Sequence, residues 1–218
     1  MTTEDGAGLR ERKKKLMRAQ LSATATEMFL ERGFDAVRVA EIAAACGVSE
    51  KTVFNYFPAK EALLLDRFED TLAAVRGALA DLETSPVDAA LGVLGGELNG
   101  LVTWVAEQDD PASAAESLRR FRELSTSTAS LRGYRHEMID KLTAAVTENL
   151  AHRAGRPADS PEPQIAAIAL VGLWQVHAAS LNRHLTDIRN PARLRKTVIA
   201  DVRRAADAIA PLFATFTR

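Results

Sequence analysis

The stretch Val39-Ala40-Glu41-Ile42-Ala43-Ala44-Ala45-Cys46-Gly47-Val48-Ser49-Glu50-Lys51-Thr52-Val53-Phe54-Asn55-Tyr56-Phe57 constrains this chain more than any other. An alanine-rich segment runs into Gly47, whose freedom at positive φ permits a tight turn, and Ser49 stands where it can cap a second short helix. Small side chains let two such helices cross closely. Ile42, Val48, Val53 and Phe57 supply a buried side. Glu50, Lys51, Thr52, Asn55 and Tyr56 then fall on or near the outer face, which is polar, hydrogen-bonding and aromatic, as a helix entering a DNA groove requires.

The remainder reads as helix throughout, with no strand-like alternation, so the expected fold is all-α. A first helix is expected from about Arg10 to Arg32, burying Leu21, Ala25, Met28 and Phe29, ending at Gly33 in a left-handed cap closed by Phe34. Beyond Lys60, breaks at Thr84-Ser85-Pro86, Asp109-Asp110-Pro111, Ser125 to Ser130, Arg153 to Pro163 and Asn190-Pro191 delimit five or six further helices. From Ile165 to Leu181 nearly every residue is apolar or small. The last helix repeats Leu194, Val198, Val202, Ala206, Ile209 and Phe213 at nearly four-residue steps. Both are expected to carry more apolar surface than one subunit can cover, as a helical homodimer requires.

With 218 residues and 47% hydrophobic content, the chain can bury a substantial core. No run of apolar residues approaches the ~18 needed to cross a bilayer, and the first residues do not resemble a signal sequence, so no membrane is expected and the location is taken as cytoplasmic. Cys46 is the single cysteine, which excludes an intrachain disulfide. The net charge of -1 hides an asymmetry: residues 10–60 hold ten basic against six acidic side chains, whereas 61–218 hold 18 against 21. A polyanion partner is admissible at one end only.

Glu31-Arg32-Gly33-Phe34, Ile42-Ala43 to Gly47-Val48-Ser49, Thr52-Val53-Phe54, Tyr56-Phe57 and Lys60-Glu61-Ala62-Leu63-Leu64 together resemble the signature of the tetracycline-repressor (TetR) family over about the first third of the chain. The resemblance implies an N-terminal three-helix DNA-binding domain with a helix-turn-helix, a C-terminal helical ligand-binding and dimerisation domain, and two subunits on a palindromic double-stranded operator. The expected organisation is a disordered tail over 1–9, the DNA-binding domain over 10–58 and the ligand-binding and dimerisation domain over 59–218.

Lys60, in the first turn of a helix after Pro58, opposes the helix dipole locally, a cost that an approaching phosphate turns into a gain. Lys51, Thr52 and Asn55 suit guanine, a thymine methyl and adenine, although base and phosphate contacts are not separable here. Glu50 suits cytosine N4 or simply the helix dipole. Ser49 completes the turn, and the resemblance places Tyr56 at a phosphate-contacting position. Two residues depart from the family pattern. Arg38 stands where a small hydroxyl residue usually caps the second helix and meets phosphate, and Phe54 replaces a common tyrosine, so its ring cannot donate the missing hydroxyl bond. The run Arg10 to Lys15 is expected as an arm on the DNA backbone or minor groove, or else as a solubilising tail.

A cavity for an unidentified small-molecule effector is implied among the helices from Ala59 to His184, with Trp104, Phe121, Tyr134, Met138, Trp174 and His177 as candidate lining residues, each also explicable as plain core. Gly92, Gly95, Gly96 and Gly100 suggest a weak, bent or closely approached helix beside it, or equally a simple loop. No cofactor, metal or catalytic motif is expected. His177 and His184, or His136 with Asp140, could begin a metal-dependent enzyme but lack a third ligand at helical spacing. A regulator controlled by a protein partner, without a small ligand, is the other alternative.

Overall fold

The computed structural model describes residues 4–185 and 190–216, with side chains from residue 11 onward. The helices are α1 (Glu4–Arg32), α2 (Val39–Ala45), α3 (Glu50–Tyr56), α4 (Lys60–Leu64), α5 (Phe68–Ala80), α6 (Pro86–Ala106), α7 (Pro111–Ser127), α8 (Ala129–Ala154), α9 (Pro161–His184) and α10 (Pro191–Ile209), followed by a 3-10 turn, Ala210–Phe213. There is no strand among the described residues. The helix breaks fall where turn residues predicted them, with one addition. Residues 65–67 separate α4 from α5, where the sequence offers neither Gly nor Pro.

α1 starts at Glu4, six residues before its expected origin. The basic run Arg10 to Lys15 is therefore helical, and residues 4–9 of the expected tail are helical too; residues 1–3 lie outside the described ones.

Two compact units emerge, Met1–Asp66 with Arg120–Arg135, and Arg67–Arg119 with His136–Arg218. In the first, Leu21, Ala25 and Phe29 line one face of α1 at four-residue steps and are fully buried with Ile42, Val53, Phe57 and Leu63. Gly33 adopts φ 86° and the Phe29 and Phe34 rings meet at 4.8 Å, the cap and closure that the sequence implied. Leu131 joins this core, with Phe121 and Tyr134 packed against it.

The second unit is built from α5, α6, α9 and α10 with the first turns of α7 and the later turns of α8. Ser85 and Asn190 cap α6 and α10 through the backbone N–H groups of Asp88 and Arg193, each followed by proline in the first turn. Leu194, Val198, Val202 and Ala206 are buried within this unit together with Phe213. Most of the four-residue repeat of the last helix is thus covered inside the subunit, with Ile209 half-buried. Apolar surface is left over on α9, where Ile165 is 55% and Ile168 58% exposed.

α6 and α9 also meet the length and apolarity needed to span a bilayer, which the run-length reading missed. Both contribute Ala90, Leu94, Leu98, Ala167, Leu170 and Leu173 to the core of the second unit, which accounts for their apolarity.

Candidate nucleic-acid interface

α2 and α3 have seven residues each, too few to be stable alone, so their ends are held by identifiable bonds. α2 closes in a Schellman arrangement: Gly47, at φ 68°, donates its N–H to the Ala44 carbonyl at 3.1 Å, and Val48 donates to that of Ala43 at 2.9 Å. Ser49 opens α3 by accepting the Thr52 N–H at 3.1 Å, and the two hydroxyls lie 2.9 Å apart. At the start of α2, Arg38 occupies the cap position without a side-chain cap, because a guanidinium has no acceptor. Glu41 compensates in part by accepting the Arg38 backbone N–H at 2.8 Å while pairing with Arg32 at 2.7 Å. These two bonds hold the Glu41 carboxyl below the usual carboxylate range, the Arg38 N–H first and Arg32 second.

α1 grips the far side of the same surface. Arg18 donates to the Tyr56 carbonyl at 2.7 Å and the Asp66 carbonyl at 3.3 Å, with its guanidinium 4.4 Å from the centre of the Phe57 ring. Ser22 donates to the Leu63 carbonyl at 3.1 Å. The ends of α3 and α4 are thereby satisfied by cationic or hydroxyl donors, which also complement their dipoles.

With these backbone demands met internally, Arg38, Ser49, Glu50, Lys51 and Asn55 are exposed, and Thr52 and Tyr56 are half-buried. Lys60 opens α4, as expected, and also finds an acceptor within the chain. Its ammonium donates to the Phe34 carbonyl at 2.6 Å and lies 4.3 Å from the centre of the Phe34 ring, and desolvation pulls its pKa below the usual lysine value. An ammonium has three donors, so two stay available. Sequence reasoning overlooked two residues. Arg18 was counted only as charge, although it donates to the carbonyl of Tyr56, the last residue of α3. Phe54, set aside for lacking a hydroxyl, stands 49% exposed on α3.

The six candidate effector residues divide between the two units. Phe121 and Tyr134 pack in the first unit, Trp104 is 43% exposed and Met138 is buried on α8. Trp174 is half-buried, its indole N–H enclosed with no acceptor among the described residues. His177 lines a cavity of about 560 Å³, formed by Arg67, Asp70, Thr71 and Ala74 of α5 with its preceding residue, by Gly92, Val93, Gly96, Glu97, Gly100 and Leu101 of α6, and by α9. Thr71 donates to Glu97 across it at 2.5 Å. Among the described residues no three His, Cys, Asp or Glu side chains converge as a metal site would need.

Residues 21–66 match the family model for bacterial regulatory proteins of the tetR family, and residues 98–210 match that of the MftR C-terminal domain. The transcriptional regulator TcmR of Streptomyces glaucescens is 30% identical over 147 residues, 60% of this chain and 65% of that protein, so the alignment spans slightly under two thirds of the relative. MftR of Mycobacterium tuberculosis is 25% identical over 153 residues, 70% of this chain and 73% of its own length. Among solved structures, Thermus thermophilus FadR, a TetR-family repressor in complex with lauroyl-CoA, superposes with a TM-score of 0.51 at 23% identity, covering 88% of this chain and 93% of that one, a likeness of fold. A match to the MftR domain over more than half of the chain, joined to the N-terminal signature, establishes that this protein belongs to the TetR family of bacterial regulatory proteins.

Proposed function

We propose that the protein is a cytoplasmic, homodimeric transcriptional repressor that binds a palindromic operator through α3 and is released by a small molecule held in the second unit. The observation that carries this reading is the surface of α2 and α3. Their backbone ends are satisfied by Gly47, Ser49, Glu41 and Arg18, while Arg38, Lys51 and Asn55 project without intramolecular side-chain bonds among the described residues. Arg38, Tyr56 and Lys60 serve phosphates, and Glu50, Lys51, Thr52 and Asn55 meet base edges, with Ser49 fixing the start of the reading helix.

Dimerisation uses the exposed face of α9 around Ile165 and Ile168, and places the two reading helices about 34 to 36 Å apart or somewhat more. The effector occupies the cavity between α5, α6 and α9. Its apolar body lies along Ala74, Val93 and Leu101 and its polar end meets Glu97, Arg67 or His177. Occupancy favours a conformation whose reading helices no longer fit successive grooves, and linkage requires operator and effector to weaken each other by the same factor.

Selection from randomised duplexes tests the reading. An enriched inverted repeat, lost with Asn55→Ala and with Ile168→Arg, is expected, the latter variant sedimenting as a monomer. Failure to enrich any repeat would overturn it. A screen in which no small molecule shifts operator affinity would transfer control to a protein partner.

A further inference from the structure

Phe54 is the one large apolar side chain of α3 that its own core does not use. Val53 and Phe57 are 1% and 0% exposed, whereas Phe54 is 49% exposed and makes no ring or cation contact among the described residues. It stands one turn beyond Glu50 and Lys51 and adjoins Asn55, all three exposed polar residues of the same helix. A phenyl ring offers no hydrogen bond to phosphate or to a base edge, so its contribution to a DNA contact is apolar. In the major groove only one natural base edge presents an apolar group, the 5-methyl of thymine.

We propose that Phe54 is a specificity-determining residue that reads a thymine methyl in each operator half-site. This rests on α3 being the reading helix and adds the base and the atom that it recognises. Water leaves both the ring and the methyl when they meet, and neither loses a hydrogen bond in doing so, so the contact favours thymine over cytosine, whose edge lacks the methyl.

The test uses full-length protein and the operator recovered by selection. Each thymine is replaced in turn by deoxyuridine, which removes the methyl and keeps the pairing edge, and affinity is read by fluorescence anisotropy. At one symmetry-related pair of positions deoxyuridine should weaken binding about tenfold, within the usual cost of a mismatched base pair. Phe54→Ala should weaken binding to the thymine operator by a similar factor and abolish the difference between thymine and deoxyuridine there, a non-additive cycle. Phe54→Leu should retain part of that difference. Because Phe54 lies outside the core, both variants should melt with the wild type, which separates lost reading from lost folding. The proposal is overturned if every deoxyuridine substitution is silent, if the sensitivity persists unchanged in Phe54→Ala, or if the half-site contains no thymine. Recovery of no operator at all would instead remove the reading helix itself, and Phe54's role with it.

Discussion

The two units solve the problem of holding helices together by different means. In the first, α2, α3 and α4 have five to seven residues, and polar side chains reaching across the chain tie down their ends: Arg18 on Tyr56, Ser22 on Leu63 and Lys60 on Phe34. In the second, α6, α9 and α10 run 19 to 24 residues and are held by continuous apolar rows, so α6 tolerates Gly92, Gly95, Gly96 and Gly100 in its interior. Short helices present a surface whose shape depends on a few directed bonds. Long helices can give up side chains along one face and leave a hollow, because the rest of their length anchors them.

The sharpest challenge to this contrast is Arg153, a directed staple inside the second unit. It is 7% exposed and donates to the carbonyls of Leu79 at 2.8 Å, Thr84 at 3.0 Å and Asp81, closing the end of α5 and the connection to α6. Arg153→Met should cost about 3 kcal/mol in denaturant unfolding, since charged donors leave buried carbonyls unsatisfied. Arg18→Met in the first unit, only partly buried, should cost about 2 kcal/mol and yet abolish operator binding. If Arg153→Met lowered operator affinity as severely as Arg18→Met at matched stability, directed bonds would not distinguish the units.

A smaller effect of opposite sign is expected at Gly96. A Cβ there meets nothing within 4 Å, and glycine in a helix interior is about 1 kcal/mol less favourable than alanine. Gly96→Ala should raise the unfolding free energy by up to about 1 kcal/mol and weaken the effector, whose space the methyl enters. Destabilisation would show that α6 is strained rather than hollowed there.

The helix-turn-helix was legible in the sequence because its signals are local. Gly47 at positive φ, Ser49 capping Thr52 and the apolar set Ile42, Val53 and Phe57 follow from backbone rules that act within a few residues. What the sequence left open concerns partners distant in sequence. Lys60 begins α4 as its helix position implies, but its Phe34 acceptor, 26 residues away, could not be read from the local sequence. The row from Leu194 to Ala206 announces burial without saying whether its own subunit or a second one provides the cover. Of the six candidate lining residues, His177 does line this cavity, whose other walls are glycine, small apolar and polar side chains, while Phe121 and Tyr134 pack against the first core, the plain-core alternative that the sequence also allowed.

The weakest expected effect concerns the polar seam that interrupts the apolar contact of α9 with α10. Asp201, on α10, accepts a hydrogen bond from the fully buried Ser180 hydroxyl at 2.7 Å and pairs with Arg204 at 2.6 Å and Arg183 at 3.1 Å, with His184 Nε2 at 3.8 Å. The Ser180 bond, and after it the neighbouring cations, hold its carboxyl below the ordinary aspartate value of 3.8. A group whose pKa is depressed by folding stabilises the native state above its unfolded pKa, and that contribution is lost as pH falls through the folded value. Arg183 and Arg204 are 64% and 77% exposed, so water and salt screen their share and the buried hydroxyl carries most of the effect. Asp201→Asn keeps an acceptor for Ser180 and removes the charge. Wild type should therefore exceed the variant by about 1 kcal/mol at pH 7, and the gap should narrow below pH 4 as the wild-type carboxylate takes up its proton. Added salt should change it little. A gap that stayed constant from pH 7 to pH 3 would mean that shape, not charge, joins the two helices at this point, and the second unit would then be apolar in its energetics throughout.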